Sequence, residues 1–284
     1  MSYKTFNVNE IDKLTSRSGT NGYQPKYLSN DEKYFIKSQL ELSGTLRDDW
    51  RVEHIATKLA YQLGIGNYVV QQLPCNINIK RNNKLIKRKG IFSKNFEKEG
   101  YQFISLETLL NLNGLTCNCK EFIKSNAIGK INFIVQNLNK LTNISKEKLL
   151  FYIYNYTTLD ILVANEDRHI KNIGVFKNIK ENTFNTALIF NFGNGLFESN
   201  TYYDNLNTLE EGLSRLTLEP SGENPFDLLR DLLKVKTYRN YFNYLQINQI
   251  NIPKEYFNEL NPIAYDYFKE IVKDFKKQWH QKII

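Results

Sequence analysis

Apolar residues recur at helical spacing over residues 48–63, where Val52, Ile55, Ala56, Leu59, Ala60 and Leu63 form one stripe. Gly64 and Gly66 mark its end, because glycine accepts the left-handed backbone that closes a helix. Glu53 stands beside Val52 and Ala56 at the edge of the stripe. An ionised carboxylate there must find a cation or stay hydrated. Upstream, Tyr34-Phe35-Ile36-Lys37 follows an Asn30-Asp31 turn and predicts a strand in a hairpin with residues 23–28. Lys37 ends that strand and is the natural partner of Glu53. Residues 68–79 alternate as a strand, 80–89 read as a basic turn, and 90–96 read as the strand leaving this first region. A helical region is expected to begin at 103–112, with 111–130 as loop. Helices are expected over 131–141 and over 145–163, the second with Ser145 as N-cap. Two short strands, 173–176 and 186–190, flank a turn at 177–182. The remainder reads as loop and then helices over 225–235, 237–245, 254–260 and 262–279. In the last of these, Ile263, Tyr267, Ile271, Phe275 and Trp279 recur every four residues as one core-facing stripe.

Strands gathered in the first third and helices after them indicate the α+β class. With 284 residues the chain is large enough for one large or two modest domains. The 41% apolar and 24% charged content is that of an ordinary globular protein. A net charge of +8 suits a phosphate-bearing partner, yet the basic residues are scattered and no DNA-reading motif is present. No direct nucleic-acid binding is therefore expected. Three cysteines (Cys75, Cys117, Cys119) make no disulfide framework, and the Cys117-Asn118-Cys119 pair lacks further zinc ligands nearby. Neither a leader pattern in the first nine residues nor an apolar run of membrane-spanning length is found, so a cytoplasmic protein without membrane contact is expected.

Candidate chemistry concentrates in Asn165-Glu166-Asp167-Arg168-His169-Ile170-Lys171-Asn172, between the 145–163 helix and the 173–176 strand. A carboxylate, a histidine, amides and cations on one loop suit phosphoryl transfer: a base for a hydroxyl, an amide oxygen for a metal, cations for phosphate. Asn and Asp are also favoured in turns for local reasons, and the octapeptide alone does not choose between these readings. Three other segments supply matching parts. Thr15 to Lys26 is small, hydroxylated and contains Gly19 and Gly22, which let backbone N–H groups approach phosphate oxygens. Lys37 and Glu53 form a lysine–glutamate pair on a strand and the helix after it. The second short strand runs into Asn191-Phe192-Gly193.

Together these pieces resemble the HipA-like serine/threonine kinases, the bacterial toxin kinases. The matching segments are Gly22-Tyr23-Gln24-Pro25-Lys26, Phe35-Ile36-Lys37, Glu53, Ser93-Lys94-Asn95-Phe96, the octapeptide, and Ile189-Phe190-Asn191-Phe192-Gly193. They span roughly residues 15–280, and the Asn-x-Asp-x-His-x-Lys-Asn pattern is the most specific of them. The resemblance implies a bilobal protein-kinase-like fold, with an antiparallel-sheet N-lobe carrying one helix (1–100) and a mainly helical C-lobe (101–284). It implies ATP and Mg²⁺ as cofactors. Asp167 would be the catalytic base, and His169 would donate to the γ-phosphate. Lys37, oriented by Glu53, would clamp the phosphates. Gly19, Gly22, Gln24 and Ser93 would surround the nucleotide, Asn172 and Asn191 would meet the metal, and Ser16 or Ser18 would be autophosphorylated. The implied substrate is a protein serine or threonine on a translation component such as an aminoacyl-tRNA synthetase. The implied partners are a DNA-binding antitoxin and a small antitoxin or N-subdomain-like protein. The chain is shorter than the longer toxins of this kind and resembles either the kinase of a split three-gene toxin system or a compact effector-type kinase of the same family.

One departure stands out. Family members usually carry Asp where this chain has Asn191. A neutral amide binds a hard cation less well than a carboxylate and neutralises less transition-state charge. Two readings stay open: a kinase inactivated by an introduced Asn191, or a natural pseudokinase acting as an ATP-binding or protein-interaction scaffold.

Overall fold

In the computed structural model, residues 3–9, 24–42, 44–95, 100–115, 120–198, 203–206 and 208–281 are described. Strands β1 (Lys4–Asn9), β2 (Lys26–Leu28), β3 (Tyr34–Ser38), β6 (Leu73–Arg81) and β7 (Lys84–Lys94) form one sheet in the order β1-β6-β7-β3-β2. The short pair β4 (Glu41–Leu42) and β5 (Thr45–Leu46) lies between β3 and the first helix. The expected β2–β3 hairpin is present, with Lys26 opposite Lys37. The expected turn over 80–89 is not. Asn82 and Asn83 alone turn the chain, both with positive φ (45° and 59°), and Arg81 pairs directly with Lys84. Asparagine tolerates that conformation, which two-residue hairpin loops demand. The basic residues after the turn are strand residues, and most of them face solvent.

The sheet is also mixed rather than wholly antiparallel, because β1 runs parallel to β6. Its short, polar sequence hides a period-two pattern in which only Phe6 and Val8 are buried. Phe6, Val8, Tyr27, Ile36, Cys75, Ile77 and Ile79 form the sheet's own apolar cluster.

Helix α1 (Asp49–Gln62) realises the predicted stripe: Val52, Ile55, Ala56, Leu59 and Ala60 are fully buried in the larger core. A second sheet has the order β10-β9-β8, from β8 (Tyr101–Ser105), β9 (Gly174–Asn178) and β10 (Thr183–Thr186). The region expected to turn helical at 103 is therefore strand first. Phe103 packs edge-on to Phe176 of β9, and Ser105 Oγ then caps α2 (Leu106–Leu112) by accepting from Thr108 N. The expected strand over 186–190 is displaced: pairing with β9 ends at Thr186, and Ile189 makes only an isolated bridge to Val69.

The supposed loop over 111–130 contains α3 (Lys120–Lys124) and the start of α4 (Ala127–Thr142), which Asn126 caps through Gly129 N. Helix α5 (Lys146–Leu162) is capped as expected by Ser145 and is buried along nearly its whole last three turns. Around it lie α7 (Pro225–Lys234), α8 (Lys236–Tyr244) and α9 (Ala264–His280), with α6 (Leu209–Arg215) before them, a helix the sequence reading passed over. Residues 254–257 form a 3-10 turn where a helix was expected. Tyr267, Ile271 and Phe275 of α9 are buried, as the four-residue stripe predicts. No helix among the described residues is long and apolar enough to cross a membrane.

Candidate active site

The site grows from Glu53. Its side chain is fully buried on α1, where an unpaired carboxylate would be costly, and both oxygens are used. Oε1 lies 2.5 Å from Lys37 Nζ, and Oε2 accepts from Phe192 N at 3.0 Å. Lys37 Nζ also donates to Asn191 Oδ1 at 3.3 Å. One carboxylate therefore fastens the helix, the strand β3 and the 191–193 segment to each other. Asn191 adopts φ 68°, a left-handed conformation that asparagine tolerates better than most residues. Gly195 is required for space, since a Cβ there would stand 2.4 Å from Val163 O.

The octapeptide is held from below by Asp160 of α5. Arg168 meets it in a two-pronged pair, Nε to Oδ2 and Nη2 to Oδ1, both at 2.8 Å, and Asn165 Nδ2 donates to Oδ1 at 2.7 Å. Arg168 Nη1 also donates to Phe190 O at 2.5 Å, and its guanidinium sits 4.8 Å from the Phe192 ring centre. Arg168 is thus a buried brace joining the loop to the 190–192 segment, not one of the phosphate-facing cations that composition suggested. Glu166 accepts from the Tyr203 hydroxyl, Ile170 packs against the core, and Lys171 lies 3.7 Å from Glu107.

With those side chains turned away, Asp167, His169 and Asn172 remain together. Asp167 Oδ2 accepts from Asn194 Nδ2 at 2.7 Å, and Oδ1 lies 3.6 Å from His169 Nε2. Asn172 Nδ2 donates to Asp167 O at 2.9 Å and lies 3.4 Å from His169 Nε2. The Asp167 side chain is 39% exposed, open enough to meet a substrate hydroxyl. Asn194 was missed in the sequence; its distance from the octapeptide hides that it orients the candidate base. Gln24 also reaches the site: a Cβ on Gly193 would stand 3.8 Å from Gln24 Oε1 and 3.7 Å from Glu53 Oε1. Ser93 pairs with Phe35 as Ile91 pairs with Lys37, which puts Ser93 on the sheet face that carries Lys37. Gly19, Gly22, Ser16 and Ser18 lie outside the described residues.

Lys26, read only as the end of a glycine-rich motif, is the other omission. Burial, and then the neighbouring Lys37, lower its ammonium to about 8, against the pull of Glu53 and Asp167. Asp49, one helical turn before Glu53, is buried with its carboxyl pushed well upward by desolvation.

Magnesium suits this donor set poorly. Mg²⁺ is usually anchored by one or two carboxylates besides phosphate oxygens. Here the two residues expected to meet the metal, Asn172 and Asn191, are neutral amides, and Lys37 donates to the Asn191 oxygen. Among the described residues no group of three or more His, Cys, Asp or Glu side chains is arranged to hold a metal ion.

Neither a family model nor a curated protein matches the sequence. Solved structures do. The proinflammatory kinase CtkA of Helicobacter pylori superimposes with a TM-score of 0.58 at 17% identity, over 90% of each chain. This chain has the fold of that kinase. The HipA of Shewanella oneidensis MR-1, solved with HipB and operator DNA, aligns with a TM-score of 0.49 at 14% identity. That alignment spans 94% of this chain and 63% of the HipA chain. An N-terminal sheet followed by a helical region is thus the arrangement this chain shares with that kinase.

Proposed function

We propose that this chain is a protein-kinase-type nucleotide-binding protein whose cleft is built to transfer the ATP γ-phosphoryl group to a protein Ser or Thr hydroxyl. The observation that carries the reading is Glu53, which uses its two oxygens to tie Lys37 and the 191–193 segment into one assembly facing Asp167. In the reaction, the hydroxyl oxygen bonds to the γ-phosphorus as the bond to the β-phosphate oxygen breaks. Asp167 takes the hydroxyl proton, with Asn194 and His169 orienting its carboxylate. Lys37 stabilises negative charge on the phosphates from a position that Glu53 fixes. Were Mg²⁺ held at Asn172 and Asn191, it would supply charge neutralisation on the phosphates. The neutral Asn191 makes this chain's turnover low. That the target is a translation component, and that the chain is the toxin of a toxin–antitoxin pair with the partners named above, rest on the motif resemblance alone.

A second reading is favoured by the same Asn191. Its amide oxygen is held by Lys37, so the cleft is assembled without the carboxylate on which catalysis depends. In that case the protein is a scaffold that binds nucleotide and turns nothing over. Restoring Asn191→Asp and following radiolabelled γ-phosphate onto protein separates the two. The kinase reading expects label that rises well above the unsubstituted chain. The scaffold reading expects no gain, while nucleotide still raises the melting temperature.

A further inference from the structure

Lys26 opens β2 directly opposite Lys37, so the two side chains leave the same face of the sheet side by side. Lys37 is committed to Glu53 and Asn191. Lys26 makes no ion pair among the described residues, although it is half-buried and senses Glu53 and Asp167. A cation withdrawn from water without a partner is destabilising until an anion reaches it. Two residues earlier, Gln24 Nε2 is a buried donor with no acceptor among the described residues, while Oε1 of the same side chain lies beside Gly193. An unmet cation and an unmet donor thus occur together on the sheet side of the cleft. In charge terms the Lys26 and Lys37 ammonium groups stand against the Glu53 and Asp167 carboxylates, while burial pushes the neighbouring Asp49 carboxyl toward its neutral form. A carboxylate at 191 would tip that balance negative and call for a metal ion; Asn191 does not.

We propose that Lys26 and Gln24 form a phosphate subsite that holds the terminal phosphates of a nucleotide without a metal ion. The subsite rests on the nucleotide reading above and adds that lysine charge here does what magnesium does in a cleft with a carboxylate at 191. Phosphate oxygens would accept from the Lys26 ammonium and the Gln24 amide, which removes both unmet groups at once.

The test is equilibrium binding of ATP and of adenosine to the full chain, in Mg²⁺ and in excess EDTA, for the unsubstituted protein, Lys26→Met and Lys26→Arg. The expected result is ATP binding that survives EDTA and weakens by about tenfold or more in Lys26→Met, the loss of one charged phosphate contact. Lys26→Arg keeps the cation and recovers most of the affinity. Adenosine, which has no phosphate, binds all three equally and shows that the cleft is folded. ATP binding that vanishes in EDTA, or that Lys26→Met leaves unchanged there, overturns the subsite while the nucleotide reading stands. Failure of the unsubstituted chain to bind either ligand in either condition removes the nucleotide reading and the subsite with it.

Discussion

At the scale of single residues, what distinguishes this cleft is how its charges are partnered. Arg168 is buried against Asp160, and removing one member of such a pair leaves the other charge stranded at a cost of ~3–5 kcal/mol. Arg168→Met is therefore expected to lower the urea midpoint strongly. Adding Asp160→Asn removes the stranded charge and should restore part of the loss. An Arg168→Met protein as stable as the parent would contradict the bracing role. Lys26 behaves differently because it awaits an anion. Its ammonium, held down to about 8 by burial and by Lys37, faces Lys37 from β3, Glu53 from α1 and Asp167 from the octapeptide. Since phosphate binds the protonated form, ATP affinity should fall as pH rises through about 8. The Lys26→Arg protein, whose guanidinium stays charged, should show a flatter profile over the same range. A titration of ATP affinity from neutral pH to about pH 9 checks both.

Among the elements, the segment after Phe192 carries a buried acid whose titration bears on stability near neutral pH. Glu198 accepts from Asn261 N at 2.6 Å, and burial raises its carboxyl from 4.5 to about 7 despite the nearby Arg47. The folded protein thus keeps a proton that the unfolded chain releases between those values. Stability falls as pH rises through that window, and the penalty is complete above about 7. Glu198→Gln keeps the acceptor for Asn261 N without a titrating group. Its melting temperature should exceed the parent's at about pH 8, with the gap closing towards about pH 5. A gap that widens on acidification would contradict this assignment.

Elements whose residues declare their own surroundings were readable in the sequence. The α1 stripe, the Ser145 cap and the four-residue repeat of α9 each follow from local spacing. The strands β1 and β8 were not readable, because Phe6 and Phe103 take their meaning from partners on β6 and β9, far away in the chain. The same limit applies inside the site. Lys37, Glu53, Asp167 and Asn172 fall in motifs. Asn194 meets Asp167 only through tertiary structure, and Lys26 gains its character only from standing across from Lys37.

For the whole molecule, the sheet and the helical region meet through Glu53, which links Lys37 on β3 to the Phe192 backbone. Ligand bound across that junction should stabilise the entire fold. A nucleotide at about a hundred times its Kd adds roughly 2.7 kcal/mol. The central claim is that this junction presents Asp167 as a base to a hydroxyl beside lysine-held phosphates. The most direct measurement is transfer of radiolabelled γ-phosphate to protein by Asn191→Asp, compared with the same protein also carrying Asp167→Asn. We predict transfer by the first and a loss of at least about a hundredfold in the second, the usual contribution of a positioned general base. Equal transfer by both, or none by either while both bind ATP, would contradict the account.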